Sequence, residues 1–164
     1  MSGPSEDDAR PAFGHFATGV VIVTADTSDG PAGFTCQAFG SLSVDPPSVL
    51  FAASRTSSSW ARMRAVGVLG VSILAEDHEP VARLFATTGA DKFAGREWRR
   101  APGGSPLLPG ALAHLEGRVR LAENHGDHDV LEVDHDHVVV DLEHVETFSG
   151  APLVYFRSEY RHLA

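Results

Sequence analysis

The sequence has a single cysteine, Cys36, and only 13 Lys and Arg against 22 Asp and Glu, for a formal net charge of -9 over 164 residues. One cysteine cannot form an internal disulfide, which argues for a reducing compartment, and we expect a cytoplasmic protein. The acidic balance argues against nucleic acid and anionic membrane as broad partners, since both need basic surface to neutralise phosphate. No apolar run approaches the roughly 20 residues that span a bilayer. The opening MSGPSEDDAR is acidic and lacks the apolar stretch of a secretory leader, so residues 1–10 are expected to be a disordered tail ahead of one domain over 11–164. Familiar nucleotide and hydrolase signatures are also missing: there is no G-x-G-x-x-G opening a helix, no G-x-x-x-x-G-K-[ST], no H-E-x-x-H and no G-x-S-x-G. A nucleotide cofactor, if bound, needs another cradle.

What is present reads mainly as β-structure. Phe16 to Ala25 (FATGVVIVTA) is apolar on both strand faces through Val20, Val21, Ile22 and Val23, as in a central strand covered on each side. DTSDGPAG has turn composition, so FTCQAFGSLSV is expected to return as one antiparallel strand, with a further turn at Asp45-Pro46-Pro47 leading into SVLFAAS. Ser57 to Ser59 ahead of Trp60 and Met63 predict an N-capped short helix. VLGVSIL is a strand, and EDHEPVARLFATTG is a second helix with Val81, Leu84 and Phe85 on one face. Residues 91–110 read as a long loop, a candidate lid or cofactor flank. Leu115, Gly117, Val119 and Leu121 alternate with Glu116, Arg118 and Arg120, predicting a strand with one wet face, and VLEV, HVVVDLEHV and PLVYF are expected to supply the closing strands. Many strands with two short helices and no regular strand-helix alternation favour an antiparallel barrel over a doubly wound sheet.

Taken together, FATGVVIVTA, GFTCQAFGSLSVDPPSVLF, the serine run after Arg55, DKFAG, GDH and the distant PLVYFRSEY resemble the flavin reductase-like, FMN-binding split-barrel family, in order and over nearly the whole chain. GFTCQAF is especially similar to the reductase components of two-component monooxygenases. The resemblance implies an antiparallel split β-barrel with short flanking helices. It also implies an NAD(P)H:flavin oxidoreductase that reduces FMN or FAD with NADH or NADPH, and a homodimer with flavin near the subunit interface. Reduced flavin would pass to a partner monooxygenase.

A flavin phosphate is a dianion, and a protein of net negative charge must gather donors locally to hold it. Arg55 with Thr56, Ser57, Ser58 and Ser59, at the start of a helix, has that chemistry, and an ordinary serine cap is the plainer alternative. Through the resemblance, Lys92 and Phe93 of DKFAG match a cofactor-flanking loop, although a solvated lysine and a core phenylalanine would look the same in sequence. Thr35, Cys36, Gln37 and Ala38 match the strand that lines the isoalloxazine; many relatives carry serine where Ala38 stands. His128 of Gly126-Asp127-His128 matches the family histidine near the nicotinamide, with His137 of Asp136-His137 as the other candidate. Tyr160 lies in a C-terminal strand that approaches the site in the family. Cys36, with no C-x-x-C partner, reads as a small hydrophobe rather than a nucleophile.

His125, His128, His135, His137 and His144 lie among carboxylates with no Lys or Arg between them. His135 and His137 would share one strand face as two ligands of a metal do, yet a solvated acidic face is the better reading, and no metal ligand is assigned. Two alternatives to the reductase remain: a flavin-binding barrel recruited to another biosynthetic tailoring step, and a non-catalytic flavin or metal binder.

Overall fold

The apolar run at Val20–Val23 feeds two cores at once. Val21, Val23 and Ala25 point into one cluster and Val20 and Ile22 into another, so this strand is covered on both faces, as its sequence predicts. In the computed structural model, which describes residues 3–121 and 135–163, the elements follow in order. They are α1 (Glu6–Gly14), β1 (Thr18–Gly19), β2 (Val21–Thr27), β3 (Gly30–Cys36), β4 (Phe39–Val44) and β5 (Pro47–Ser54). Next come α2 (Ser58–Met63), β6 (Val68–Ile73), a 3-10 turn (Glu76–His78) running into α3 (Glu79–Ala86), β7 (Arg99–Arg100) and β8 (Pro106–Leu107). The chain ends with β9 (Ala113–Leu121), β10 (His135–Thr147), β11 (Leu153–Phe156) and β12 (Glu159–His162).

Seven strands form one sheet in the order β3-β2-β6-β9-β10-β5-β4, every neighbour antiparallel. FTCQAFGSLSV, expected as one strand, is two: β3 and β4 are consecutive in the chain, joined by Gln37 and Ala38, yet lie on opposite edges of the sheet. That link curls the sheet into a barrel with a slit along the seam, the split barrel the family resemblance implies. The Ala52 amide donating to the Ala38 carbonyl (2.9 Å) extends the β4–β5 ladder to the seam, which the Cys36 thiol crosses by donating to the Ala52 carbonyl (3.6 Å). Inside, Phe34, Phe51 and the α2 residue Trp60 meet edge-on or tilted, with centroids 6.0 to 6.2 Å apart, and Trp60 and Met63 stopper one end. Outside, Val81, Ala82 and Phe85 of α3 pack on Val20, Ile22, Leu74, Leu108 and Leu153.

Three expectations change. The first ten residues are not simply a tail, since α1 begins at Glu6 behind a reciprocal cap in which Ser5 and Asp8 satisfy each other's backbone amides. PLVYF does not close the barrel: β11 pairs with β1 and β12 in a separate three-stranded sheet. VLEV lies outside the described residues. The polar face of β9 is only partly wet. Arg118 and Arg120 are exposed and paired with Glu143 and Asp141 of β10, but Glu116 (3% exposed) and His114 (2%) are covered by the segment around β7 and β8. Gly103 and Ser105 amides donate to the Glu116 carboxylate at 2.6 and 2.9 Å, and His114 Nε2 sits 2.7 Å from the Leu108 carbonyl. Opposite a bulge in β10, a Cβ on Gly117 would fall 2.1 Å from the Asp141 carbonyl oxygen, so only glycine lets the two strands approach there.

Candidate functional site

Where the seam opens, strand edges and loops enclose a groove of about 410 Å³. One wall is the end of β3 and its link, Thr35, Cys36, Gln37 and Ala38; Ala52 and Ser54 of β5 stand nearby. Thr56, Ser57, Ser58 and Ser59 line it ahead of α2 and along its first turn, and Phe85, Ala86, Thr88 and Lys92 line it from α3 and the loop beyond. The barrel topology thus gathers nine of the candidate cofactor-binding residues singled out in the sequence, from three separate segments, into one concavity.

Their chemistry is not uniform. The Thr35 hydroxyl donates to the Ala82 carbonyl (2.6 Å), tying β3 to α3. Burial pushes the Cys36 thiol up to about 11, so it is protonated at neutral pH and is not an activated nucleophile. Ser57 caps α2 in the ordinary way, its Oγ accepting from the Trp60 amide at 3.2 Å. Lys92 Nζ donates to the Gly33 carbonyl and to Ser59 Oγ, both at 3.0 Å, and burial lowers its pKa from the usual lysine range. Gly33 lets the chain pass: a Cβ there would meet Phe85 Cε1 at 2.8 Å.

Arg55, expected as the phosphate cation, does not line the groove; its Nε donates to Asp136 Oδ1 at 2.9 Å. Among the described residues lining the groove, Lys92 is the one permanent cation. Asp136 is a hub that sequence reading passed over. Its side chain is 11% exposed and also accepts from Trp60 Nε1 (2.8 Å), with Arg64 Nη2 at 3.6 Å. The Trp60 bond first, then the two arginines, hold its carboxyl below the usual range. Asp136 thereby fastens the segment carrying Ser57–Ser59 to β10.

Phe93 packs with Phe85 (5.2 Å) and Trp98 (4.7 Å) in the outer core rather than on this groove. Tyr160 lies in an adjoining depression of about 160 Å³ that shares Thr35, Gln37 and Ala86 with the groove; its ring sits 4.8 Å from the Arg83 guanidinium. His128 falls outside the described residues. His137 is exposed on β10 opposite Ala52 and does not line the groove, whereas His135, opposite Ser54, does. In the sequence His135 stood out only as a possible metal ligand. Among the described residues no group of three His, Cys, Asp or Glu could hold a metal, and no helix is long and apolar enough to cross a membrane.

Gln37, Ala38 and His135 also line a second groove of about 740 Å³ between α1 and the barrel, which carries Phe13, Phe16, Phe39 and Tyr155. The paired grooves fit a flavin beside a second planar ring. Ser58, Ser59 and Lys92 offer donors to a phosphate, and Cys36, Ala38, Ala52 and Ala86 leave room for a flat ring against a strand edge.

The flavin reductase like domain profile matches residues 13–164. The chain is 42% identical over 119 residues, 73% of its length and 61% of the relative's, to the reductase subunit HsaB of a flavin-dependent monooxygenase from Rhodococcus jostii. It is 39% identical over 158 residues, 94% of its length and 84% of the relative's, to an NADH-dependent flavin reductase from a Rhodococcus species. Among solved structures, the NADH:FAD oxidoreductase of Streptomyces globisporus superposes with a TM-score of 0.87 at 30% identity, covering 100% of this chain and 96% of that one. Profile, barrel and groove agree, and the chain belongs to the flavin reductase like domain family.

Proposed function

We propose that the protein is an NAD(P)H:flavin oxidoreductase that reduces FMN or FAD and passes reduced flavin to a partner monooxygenase. The observation that carries this reading is the shared wall. Gln37, Ala38 and His135 line both the groove with the phosphate donors and the larger aromatic one, so rings bound in the two grooves would lie side by side. Hydride transfer needs chiefly close approach of the two rings. Flavin, when bound, would supply the two-electron chemistry that a nicotinamide donor requires.

The protein's part is to hold and orient. Ser58, Ser59 and Lys92 anchor the phosphate, while Thr35, Cys36, Gln37 and Ala38 present a strand edge to the ring system. His135, at the junction, steadies the nicotinamide carboxamide by hydrogen bonding, a role for which His128 is the other candidate. Tyr160 borders the ring end. Phe13 (75% exposed) and Phe16 (78%) leave a large apolar surface bare at the second groove, and a homodimer that covers it would also shield the reacting rings from water. The donor is NADH by analogy with the Rhodococcus relative. A reduced Cys36 and this donor suit the cytoplasm.

The test is to mix purified protein with FMN and NADH without oxygen and follow the loss of oxidised-flavin absorbance against a protein-free control. Rapid bleaching is expected. Flavin binding without bleaching would sink the reductase assignment and leave a flavin-binding barrel with another task.

A further inference from the structure

The outer wall of the aromatic groove is α1, and none of its residues reaches either core. Ala9, Arg10 and Phe13 from the helix and Phe16 just beyond it nevertheless line that groove. Among the described residues, two hydrogen bonds tie residues 5–16 to the rest of the chain, and both end on Arg157, in the turn between β11 and β12. The Arg157 amide donates to the Gly14 carbonyl (2.8 Å), and its Nη2 donates to His15 Nε2 (2.7 Å). The turn is itself constrained, since Arg157 and Ser158 sit at φ 52° and 63°, left-handed conformations adopted here without a glycine.

The chemistry of the pair fixes the protonation state of His15. A guanidinium has only hydrogens to offer, so Nε2 accepts with its lone pair. Nδ1, 2.8 Å from the Pro11 carbonyl, carries the proton and donates. The imidazole is therefore neutral in this arrangement, and a second proton on Nε2 would set two cations against each other at hydrogen-bond distance. No acid compensates: Glu6 of α1 pairs with Arg10, Asp8 with Ser5, and Glu159 of β12 with Arg161, and neither these nor Asp7 pairs with the imidazole. The Phe156 ring stands edge-on to it at 6.3 Å.

From this we infer that Arg157 is a positioning residue for hydride donation: it sets α1 as the wall of the donor groove, and protonation of His15 breaks the side-chain half of that hold. The inference rests on the reading of the aromatic groove as the nicotinamide site. Arg157 does not line the groove, so it acts through α1 rather than on the donor. Without its side chain, α1 hangs from one backbone bond and the groove loses a fixed wall. NADH then binds more weakly, while a donor once bound reacts as before. Flavin is untouched, because no residue of α1 lines the groove with the phosphate donors.

Steady-state kinetics of the full chain with NADH and FMN test this, with flavin binding followed by fluorescence alongside. Arg157→Met is expected to raise KM for NADH about fivefold with kcat and flavin affinity little changed. Arg157→Lys, which still donates to Nε2, should recover most of the loss. In the unaltered chain KM should rise by a similar factor between about pH 8 and pH 5.5. His15→Gln offers an acceptor that does not titrate, so it should keep the low KM and lose the acid rise. A rise that persists there belongs to His135, the other imidazole at the groove, and overturns the role given to His15. At fixed neutral pH, amide exchange in residues 9–14 should quicken in Arg157→Met. Unchanged exchange, a fall in kcat alone, or equal loss of flavin and NADH binding overturns the proposal. So does a changed elution volume of Arg157→Met on gel filtration, which would put the effect on subunit association. An unaltered chain that binds flavin and is not bleached by NADH overturns instead the reading of the groove, and this role falls with it.

Discussion

Two polar clusters sit on the outside of the same barrel and have opposite fates. Around Glu116, the segment carrying β7 and β8 closes over the carboxylate, and two backbone amides satisfy it. Around Lys92, α2, α3 and β3 come together without closing, and an ammonium that burial makes readier to lose its proton stands at an open groove. The residue types are equally polar; the difference is whether the surrounding backbone supplies every partner. A sealed cluster holds the fold, and an open one with incompletely used donors holds a ligand.

Substitutions should separate these roles. Glu116→Ala strands the Gly103 and Ser105 amides and should cost about 3 kcal/mol of stability in a denaturant melt, with flavin affinity of the folded fraction unchanged. Lys92→Met should do the reverse, weakening flavin binding by about 2 kcal/mol while the melt shifts little. Because burial lowers the Lys92 pKa, its cation is lost at a lower pH than that of an exposed lysine. Flavin affinity should therefore fall as pH rises through that depressed value, and Lys92→Arg should move the fall upward.

Asp136 links the two behaviours. Its carboxyl titrates lower in the folded chain than in the unfolded one, so its contribution to stability is present at neutral pH and lost as pH falls through the folded value. Asp136→Asn should flatten that acid limb and weaken flavin a few fold by loosening Ser57–Ser59. A normal acid limb in Asp136→Asn would remove its role as a hub. The smallest effect is expected at Cys36. With its thiol protonated, Cys36→Ala should leave anaerobic bleaching rates nearly unchanged, and a large loss would revive a covalent role.

Much of the architecture is legible in local pattern. The doubly apolar β2, the serine cap ahead of Trp60 and the amphipathic α3 each announce themselves within one segment. The long pattern from Gly33 to Pro47 carries the family. What stays hidden depends on partners far along the chain. Alternation cannot show that β3 and β4 part to opposite edges at Gln37. Nor can it show that Arg55 would be engaged by Asp136, 81 residues away. His135 reaches the groove through the register of β10 on β5, with His135 opposite Ser54, which no spacing encodes. Glu116 looks wet because strand period tells which side a residue faces and not what later lies over it.

The seam has one more consequence. Across it, the Cys36 thiol contact to the Ala52 carbonyl is a far weaker tie than a continuous strand pair would provide, and the Ala52 amide bond to Ala38 is the last rung of β4–β5 beside it. Such a joint is where amide exchange should reveal the earliest opening of the barrel, with Ala52 as its reporter. A ligand that spans the joint opposes that opening by mass action, in proportion to its own binding free energy. If flavin is that ligand, its supply becomes one of the determinants of how long the protein survives unfolding and proteolysis.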